Sequence, residues 1–227
     1  RMNQLIISLD VPELRDAIKI VEATKELVYA FKIHALSDRS GLGIIEILKR
    51  YGALKIWLDW KLHDTPDIVA LRAQTAKNAG ADILSAHLGG GRAMIQAAQE
   101  NGPPEIFGVS LLTSLDLETE GLVHGRSRDE TLKNLVRVAV ATNIQGIVCA
   151  ASDIKTMREN SAEKMKFIVP GIRLPDENPN NHIHYTTPKG AVRAGANFLV
   201  VGRSIIKSPS PGETARNIVN QISDSQT

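Results

Sequence analysis

Short apolar, β-branched runs alternate with amphipathic helical patterns eight times along this chain of 227 residues. The runs are LIISLD (5–10), VYAFKIH (28–34), LKIWLDW (54–60), DILSAHL (82–88), EIFGVSLLT (105–113), GIVCAA (146–151), KFIVPGIR (166–173) and FLVVGRS (198–204). Helical spacing fills the intervals at 12–26, 41–51, 66–79, 91–100, 129–142, 152–160 and 188–194, and 212–223 closes the chain. In GLGIIEILKRY, for instance, Leu42, Ile45 and Leu48 recur on one helical face. AGAD (79–82) and AGAN (194–197) each put a glycine where a helix should stop before a strand. Strand then helix, eight times over in a chain of domain size, predicts the α/β class and a (β/α)8 TIM barrel. On pattern alone a doubly wound open sheet is the alternative. There is no linker, low-complexity tract or long charge run, so residues 1–227 are expected to form one domain.

Composition narrows the function classes. A net charge of +2 is too small to argue for nucleic acid or a membrane surface as partner. No apolar run approaches the ~20 residues that a membrane helix needs. Arg1-Met2-Asn3-Gln4 leads directly into an apolar strand, so no signal peptide is expected. One cysteine, Cys149, excludes an internal disulfide and a cysteine-based metal cluster, and fits a reducing, cytoplasmic setting. The histidines at 34, 63, 87, 124, 182 and 184 form no H-E-x-x-H or comparable ligand pattern, so no metal is expected.

In such a barrel, chemistry collects where strands end and βα loops begin. The polar residues at those ends are Asp10, Lys32, Asp59, Lys61, His87, Thr113, Arg173 and Arg203. LDWKLHD (58–64) is the densest group, with Asp59, Lys61 and Asp64 close together at the end of the third strand. Asp59 and Lys61 are two apart, so they share a strand face and can pair. Asp64 falls in the turn before a helix opening at Thr65-Pro66, where Thr65 could cap and Asp64 or Asp67 could favour the helix dipole. A buried structural salt bridge is the plainer reading of Asp59–Lys61. The second group is PGIR (170–173) after the seventh strand and VVGRSI (200–205) after the eighth. Barrels often bind phosphate there: Gly202 admits an anion close to the backbone, while Arg173 and Arg203 supply forked positive charge. HLGGGR (87–92) reads as a strand-to-helix turn.

Taken together these residues resemble the orotidine 5′-monophosphate decarboxylase family. The carrying motif is D-x-K-x-x-D followed by proline, from Asp59 to Pro66. SLD (8–10), FKI (31–33), GADILSAHLGGG (80–91), LLTS (111–114), GIVCA (146–150), VPGIR (169–173), TTP (186–188) and VVGRSI (200–205) stand around it in matching order. The resemblance implies a cofactor-free loss of CO2 from C6 of orotidylate, giving UMP. It implies Lys61 as the proton donor to C6 in an Asp59–Lys61–Asp64 network, with Lys32 tied in. It further implies a homodimer in which Asp64 and Thr65 reach the neighbouring subunit's site. Asp10 matches a ribose-binding aspartate, Thr113 a pyrimidine contact, and Gly202 and Arg203 the phosphate site, with Arg173 nearby. The chain departs from the family pattern at four places. Thr65 stands where isoleucine is usual, His34 where glycine is common, and Ala150 where serine is common. His182, or Asn181 with a one-residue slip, stands where a glutamine bridges phosphate and base. The loop 174–185, LPDENPNNHIHY, is polar and long for a βα loop and reads as a lid. Two other readings stay open: a sugar-phosphate decarboxylase or aldolase of the same superfamily, and a non-catalytic nucleotide-binding relic. The former usually needs Mg²⁺ and a glutamate after the second strand, where this chain offers Asp38 and, further on, Glu46.

Overall fold

Each of the eight apolar runs supplies one parallel strand, and the strands close into a barrel in chain order. They are β1 (Leu5–Ser8), β2 (Ala30–Ile33), β3 (Ile56–Leu62), β4 (Ile83–His87), β5 (Glu105–Val109), β6 (Gly146–Val148), β7 (Lys166–Val169) and β8 (Phe198–Val201). Closure comes from β1, which pairs Ile6 with Ala30 of β2 and with Val200 of β8. The computed structural model describes residues 3–161, 163–174 and 185–225.

Strand alternation sorts the core into two layers. Ile6, Ala30, Trp57, Ile83, Phe107 and Phe198 fill the inside of the barrel. Leu5, Ile7, Phe31, Ile33 and Leu58 point outward against the helices. Burying each large apolar side chain stabilises by about 1.5–3 kcal/mol, so both faces of every strand must be covered. The covering helices are α1 (Leu14–Thr24), α2 (Ala35–Ser40), α3 (Ile44–Arg50), α4 (Pro66–Asn78), α5 (Gly91–Asn101), α6 (Leu117–His124), α7 (Arg128–Thr142), α8 (Ile154–Glu159), α9 (Pro188–Ala194), α10 (Arg203–Ile206) and α11 (Pro211–Asp224). Gly80 and Gly195 take φ of +85° and +101°, the left-handed conformation that ends α4 and α9 before their strands. None of the described helices is long and apolar enough to cross a membrane.

The structure corrects the sequence reading in detail. The tails of the runs, such as 110–113 and 170–173, leave the sheet and become βα loops. β3 extends two residues further than expected, to Leu62. Three short helices, α2, α6 and α10, are additions, each too brief to register as a periodic pattern.

At the strand beginnings the barrel is closed by a compact polar set. Tyr29 Oη donates to Glu105 (2.7 Å to Oε2), and Lys55 Nζ donates to Tyr29 Oη at 2.9 Å. Lys55 also forms a short ion pair with Glu105 and lies over the Tyr29 ring, 4.5 Å from its centroid. The Tyr29 ring in turn packs on Phe198, with centroids 4.3 Å apart.

Candidate active site

The opposite end of the barrel, where the strands finish, holds the charges that the sequence singles out. Asp59 on β3 is only 3% exposed. Lys61 Nζ donates to its Oδ2 at 2.6 Å, and Lys32 Nζ, from β2, lies 3.1 Å from the same oxygen. Ser85 on β4 donates to the other oxygen, Oδ1, at 2.6 Å. Burial alone would raise the pKa of Asp59. The Lys32 and Lys61 ammoniums and the hydrogen bonds from Lys61 and Ser85 outweigh it, holding the carboxyl well below its ordinary range. The trio of Asp59, Lys32 and Lys61 carries one positive charge more than it balances.

Local backbone geometry makes this convergence possible. Leu58 pairs with Leu84, yet Leu62 pairs with Ala86, so β3 advances four residues while β4 advances two. Within this bulge Lys61 takes φ of +48°, a left-handed conformation that costs a side-chain-bearing residue about 1–2 kcal/mol. Its amide N–H donates to Ser85 Oγ at 3.0 Å, so one hydroxyl fixes both the Lys61 backbone and the Asp59 carboxylate. Asp59 and Lys61 do meet, but through a bulge in place of simple alternation.

The trio opens on a cleft with two lobes. One, of about 180 Å³, is walled by Trp57, Val109, Leu111, Thr113 and Val148, with Asp59 and Lys61 at its edge. The other, of about 190 Å³, is lined by Ser8, Asp10, Gly171, Arg173, Gly202 and Arg203. Lys32, Pro170 and Val200 line both lobes. The first lobe suits a flat, mostly apolar ring; the second suits an anion with hydroxyls. Ser8 Oγ donates to Asp10 Oδ2 at 2.7 Å, which orients that exposed carboxylate. Gly171, at φ +74°, turns the chain after β7 in a way that disfavours any side chain. The Arg173 amide donates to Thr186 O at 2.9 Å and Thr186 N–H to Gly171 O at 3.2 Å, pinning PGIR to TTP. Arg173 is itself buried, with Nη1 donating to Ile172 O at 2.8 Å. A further hollow of about 230 Å³, lined by Val140, Asn143, Ile144 and Lys164 among others, lies by the beginnings of β6 and β7, away from these charges.

Other expected residues fall elsewhere. Asp64 is exposed and accepts from the Thr65 amide at 2.7 Å; no ion pair joins it to Lys61 in the same chain. Thr65 occupies the N-cap position of α4 and Pro66 the first turn, but the Thr65 side chain makes no capping bond. His182 and most of the loop 174–185 lie outside the described residues. HLGGGR forms the expected turn, with Gly91 at φ +81° opening α5. His87, at the end of β4, stacks near His63 with centroids 5.3 Å apart. Burial, helped by His63 and Lys61, pushes its pKa down to about 4. Asp38 and Glu46 are both exposed on α2 and α3, away from the cleft, and Glu46 pairs with Arg50. Two site residues went unnoticed in the sequence, Ser85 and Trp57. A serine in the otherwise apolar DILSAHL, two before His87, is the signal that marks Ser85. Trp57 Nε1 is buried with no hydrogen-bond partner among the described residues, on the wall of the first lobe.

Comparison with known proteins agrees with this architecture. The family model for the orotidine 5′-phosphate decarboxylase / HUMPS family matches residues 3–218. A protein from Moorella thermoacetica named orotidine 5′-phosphate decarboxylase is 31% identical, covering 97% of this chain and 92% of its own. One of the same name from Nitrosococcus oceani is 32% identical, covering 98% of both chains. The crystal structure of orotidine 5′-phosphate decarboxylase from Pyrococcus horikoshii OT3 superposes with a TM-score of 0.82 at 29% identity, covering 96% of this chain and 99% of that one.

Proposed function

The chain belongs to the orotidine 5′-phosphate decarboxylase / HUMPS family, and from that premise we propose that it converts orotidine 5′-monophosphate to UMP and CO2 without a cofactor. The observation that carries this reading is the shared contact of two lysine ammoniums with one buried carboxylate oxygen, at the mouth of a cleft with an apolar lobe and a cationic one.

In the proposed reaction the pyrimidine sits in the apolar lobe against Thr113, with C6 toward Lys61. The ribose meets Asp10, and the phosphate meets Gly202 and Arg203, with Arg173 behind. The C6–carboxylate bond breaks, CO2 leaves, and the electron pair stays on C6 in an orbital that the ring cannot delocalise well. The Lys61 ammonium stabilises that developing charge and then gives C6 its proton, becoming a neutral amine that solvent reprotonates. Asp59 and Lys32 hold the ammonium in place. One ion pair contributes only a few kcal/mol, whereas enzymes lower barriers by roughly 8–23 kcal/mol. Binding energy from the remote phosphate must therefore act at the reacting carbon, which is why one chain needs both LDWKLHD and VVGRS.

The surplus positive charge of the trio also supports a shared site. In this reading a second subunit brings its Asp64 and Thr65 to the mouth, and that carboxylate balances the charge. Exposure of Asp64 in the single chain leaves it free to do so. A cytoplasmic location completes the proposal, supported by the lone cysteine.

Absorbance of orotidylate incubated with the protein in EDTA tests the reading. Loss of the orotidylate band, absent when the protein is left out, supports it. An unchanged band with tight UMP binding would favour a nucleotide-binding relic, and turnover of a sugar phosphate only on adding Mg²⁺ would favour the other branch of the family.

A further inference from the structure

Helix α6 has the opposite burial pattern to an ordinary surface helix. Its one buried residue is Glu120, at 1% exposure, while Leu117, Leu122 and Val123 are 68%, 80% and 65% exposed. Apolar burial therefore does not hold α6 to the barrel. Charge does. Arg128, the first residue of α7, donates through Nη1 to Glu120 Oε1 in a short ion pair. Through Nε and Nη2 it donates to Asp153 Oδ1 and Oδ2 at 3.0 and 2.8 Å. Glu120 belongs to the connection that follows β5, and Asp153 to the connection that follows β6. A single guanidinium thus ties those two connections together.

The same two connections wall the apolar lobe. Leu111, Leu112 and Thr113 come from the first, and Cys149 from the start of the second. Asp116 caps α6 by accepting from the Thr119 amide at 2.7 Å, so α6 is joined firmly to the segment that bears Thr113. We infer that Arg128 is a positioning residue for this lobe, acting through Glu120 and Asp153 to set the wall against which the pyrimidine packs.

The charge inventory argues against a purely stabilising role. Two buried carboxylates share one guanidinium, and Glu120 Oε2 has no hydrogen-bond partner among the described residues. Buried ion clusters add little net stability, because desolvation offsets the Coulombic gain. An orphaned carboxylate oxygen makes the balance worse. What the cluster does supply is direction, since a planar fork accepts few arrangements of its partners. The inference rests on the decarboxylase reading for the identity of the ligand, not for the geometry of the clamp.

Glu120→Ala releases α6 while leaving Arg128 paired with Asp153, so no buried charge is stranded. It should melt within a few degrees of wild type, and amides 111–124 should exchange faster. KM for orotidylate should rise roughly tenfold with kcat changed about twofold or less, the pattern of a contact made equally in ground and transition states. Glu120→Gln keeps an oxygen that accepts from Arg128, and should stay near wild type in exchange and in KM. Wild-type exchange over 111–124 in Glu120→Ala would overturn the inference, as would equal impairment of the Gln and Ala variants. If the wild type turns over no orotidylate, the decarboxylase reading fails by itself, and the exchange comparison still decides whether Glu120 and Arg128 hold the wall.

Discussion

The two ends of the barrel each carry a lysine–carboxylate cluster, and the clusters differ in whether their charges balance. At the strand beginnings, Lys55, Glu105 and Tyr29 satisfy one another and sum to zero, with aromatic rings packed over them. At the strand ends, Lys32 and Lys61 crowd onto one oxygen of Asp59 and leave a positive charge facing a cleft. The first set needs nothing more and closes the barrel. The second is incomplete, and it sits on strained backbone: Lys61 is one of two non-glycine residues with positive φ among those described. An observed outlier of this kind is a pointer to function, because the strain persists only where the surroundings enforce it. On the proposed function, the contrast teaches that the same ion pair serves architecture or chemistry according to what it leaves unbalanced.

The sharpest way to break this contrast is to neutralise the shared carboxylate. Asp59→Asn leaves two ammoniums side by side without a counter-charge, and steady-state assay should show orotidylate turnover reduced roughly 10²–10⁴-fold, the range for misplacing a general acid. The second probe asks whether another chain completes the cluster at the strand ends. Lys61→Ala and Asp64→Ala are each expected to be inactive alone. Mixed by subunit exchange, they should recover roughly a quarter of wild-type activity, since half the dimers are mixed and each holds one intact site. No recovery with exchange verified would return Asp64 to its own chain. A smaller effect is expected of Ser85→Ala, which removes the hydroxyl joining the Lys61 amide to Asp59. Denaturant titration should show a loss of about 1–3 kcal/mol for the buried groups left unpaired. Activity should fall with it; an undiminished rate would mean that the bulge needs no such support.

The smallest effect is in pH dependence. His87 has its pKa lowered from 6.5 to about 4 in the folded protein. Between those values the unfolded chain binds the proton and the native one does not, so stability is full above pH 6.5 and is lost as pH falls toward 4. Melting curves of His87→Leu should show a shallower decline across that window than wild type. Identical slopes would mean that His87 is as solvated as it is when unfolded.

Much of this arrangement was legible in the sequence, for physical reasons that also explain what was not. The eight strands announced themselves because each is apolar on both faces, and a charge at the end of such a run has few structural uses. That made Asp59, Lys61, Arg173 and Arg203 visible. Helix α6 was invisible because its buried residue is a glutamate and its leucines face out. The clamp of Arg128 on Glu120 reaches Asp153, 25 positions further along the chain from Arg128, which spacing within one element cannot reveal. Period-two reasoning brought Asp59 and Lys61 together correctly although the strand bulges between Leu58 and Leu62. Asp64, which the sequence puts in the turn before α4, is exposed in that turn, and its part in the network was implied only by the family resemblance.

On the proposed function the cluster at the strand ends acts on substrate and the one at the strand beginnings only closes the barrel. Lys61→Ala and Lys55→Ala, measured side by side for orotidylate turnover and thermal melting, test it most directly. Lys61→Ala should lose decarboxylation while melting close to wild type, because the proposed proton donor is gone while Asp59 keeps Lys32 and the φ strain at position 61 is unchanged. Lys55→Ala should melt lower, because it strips Glu105 of its cation, and should keep wild-type kcat/KM. Near-wild-type turnover in Lys61→Ala would contradict the account.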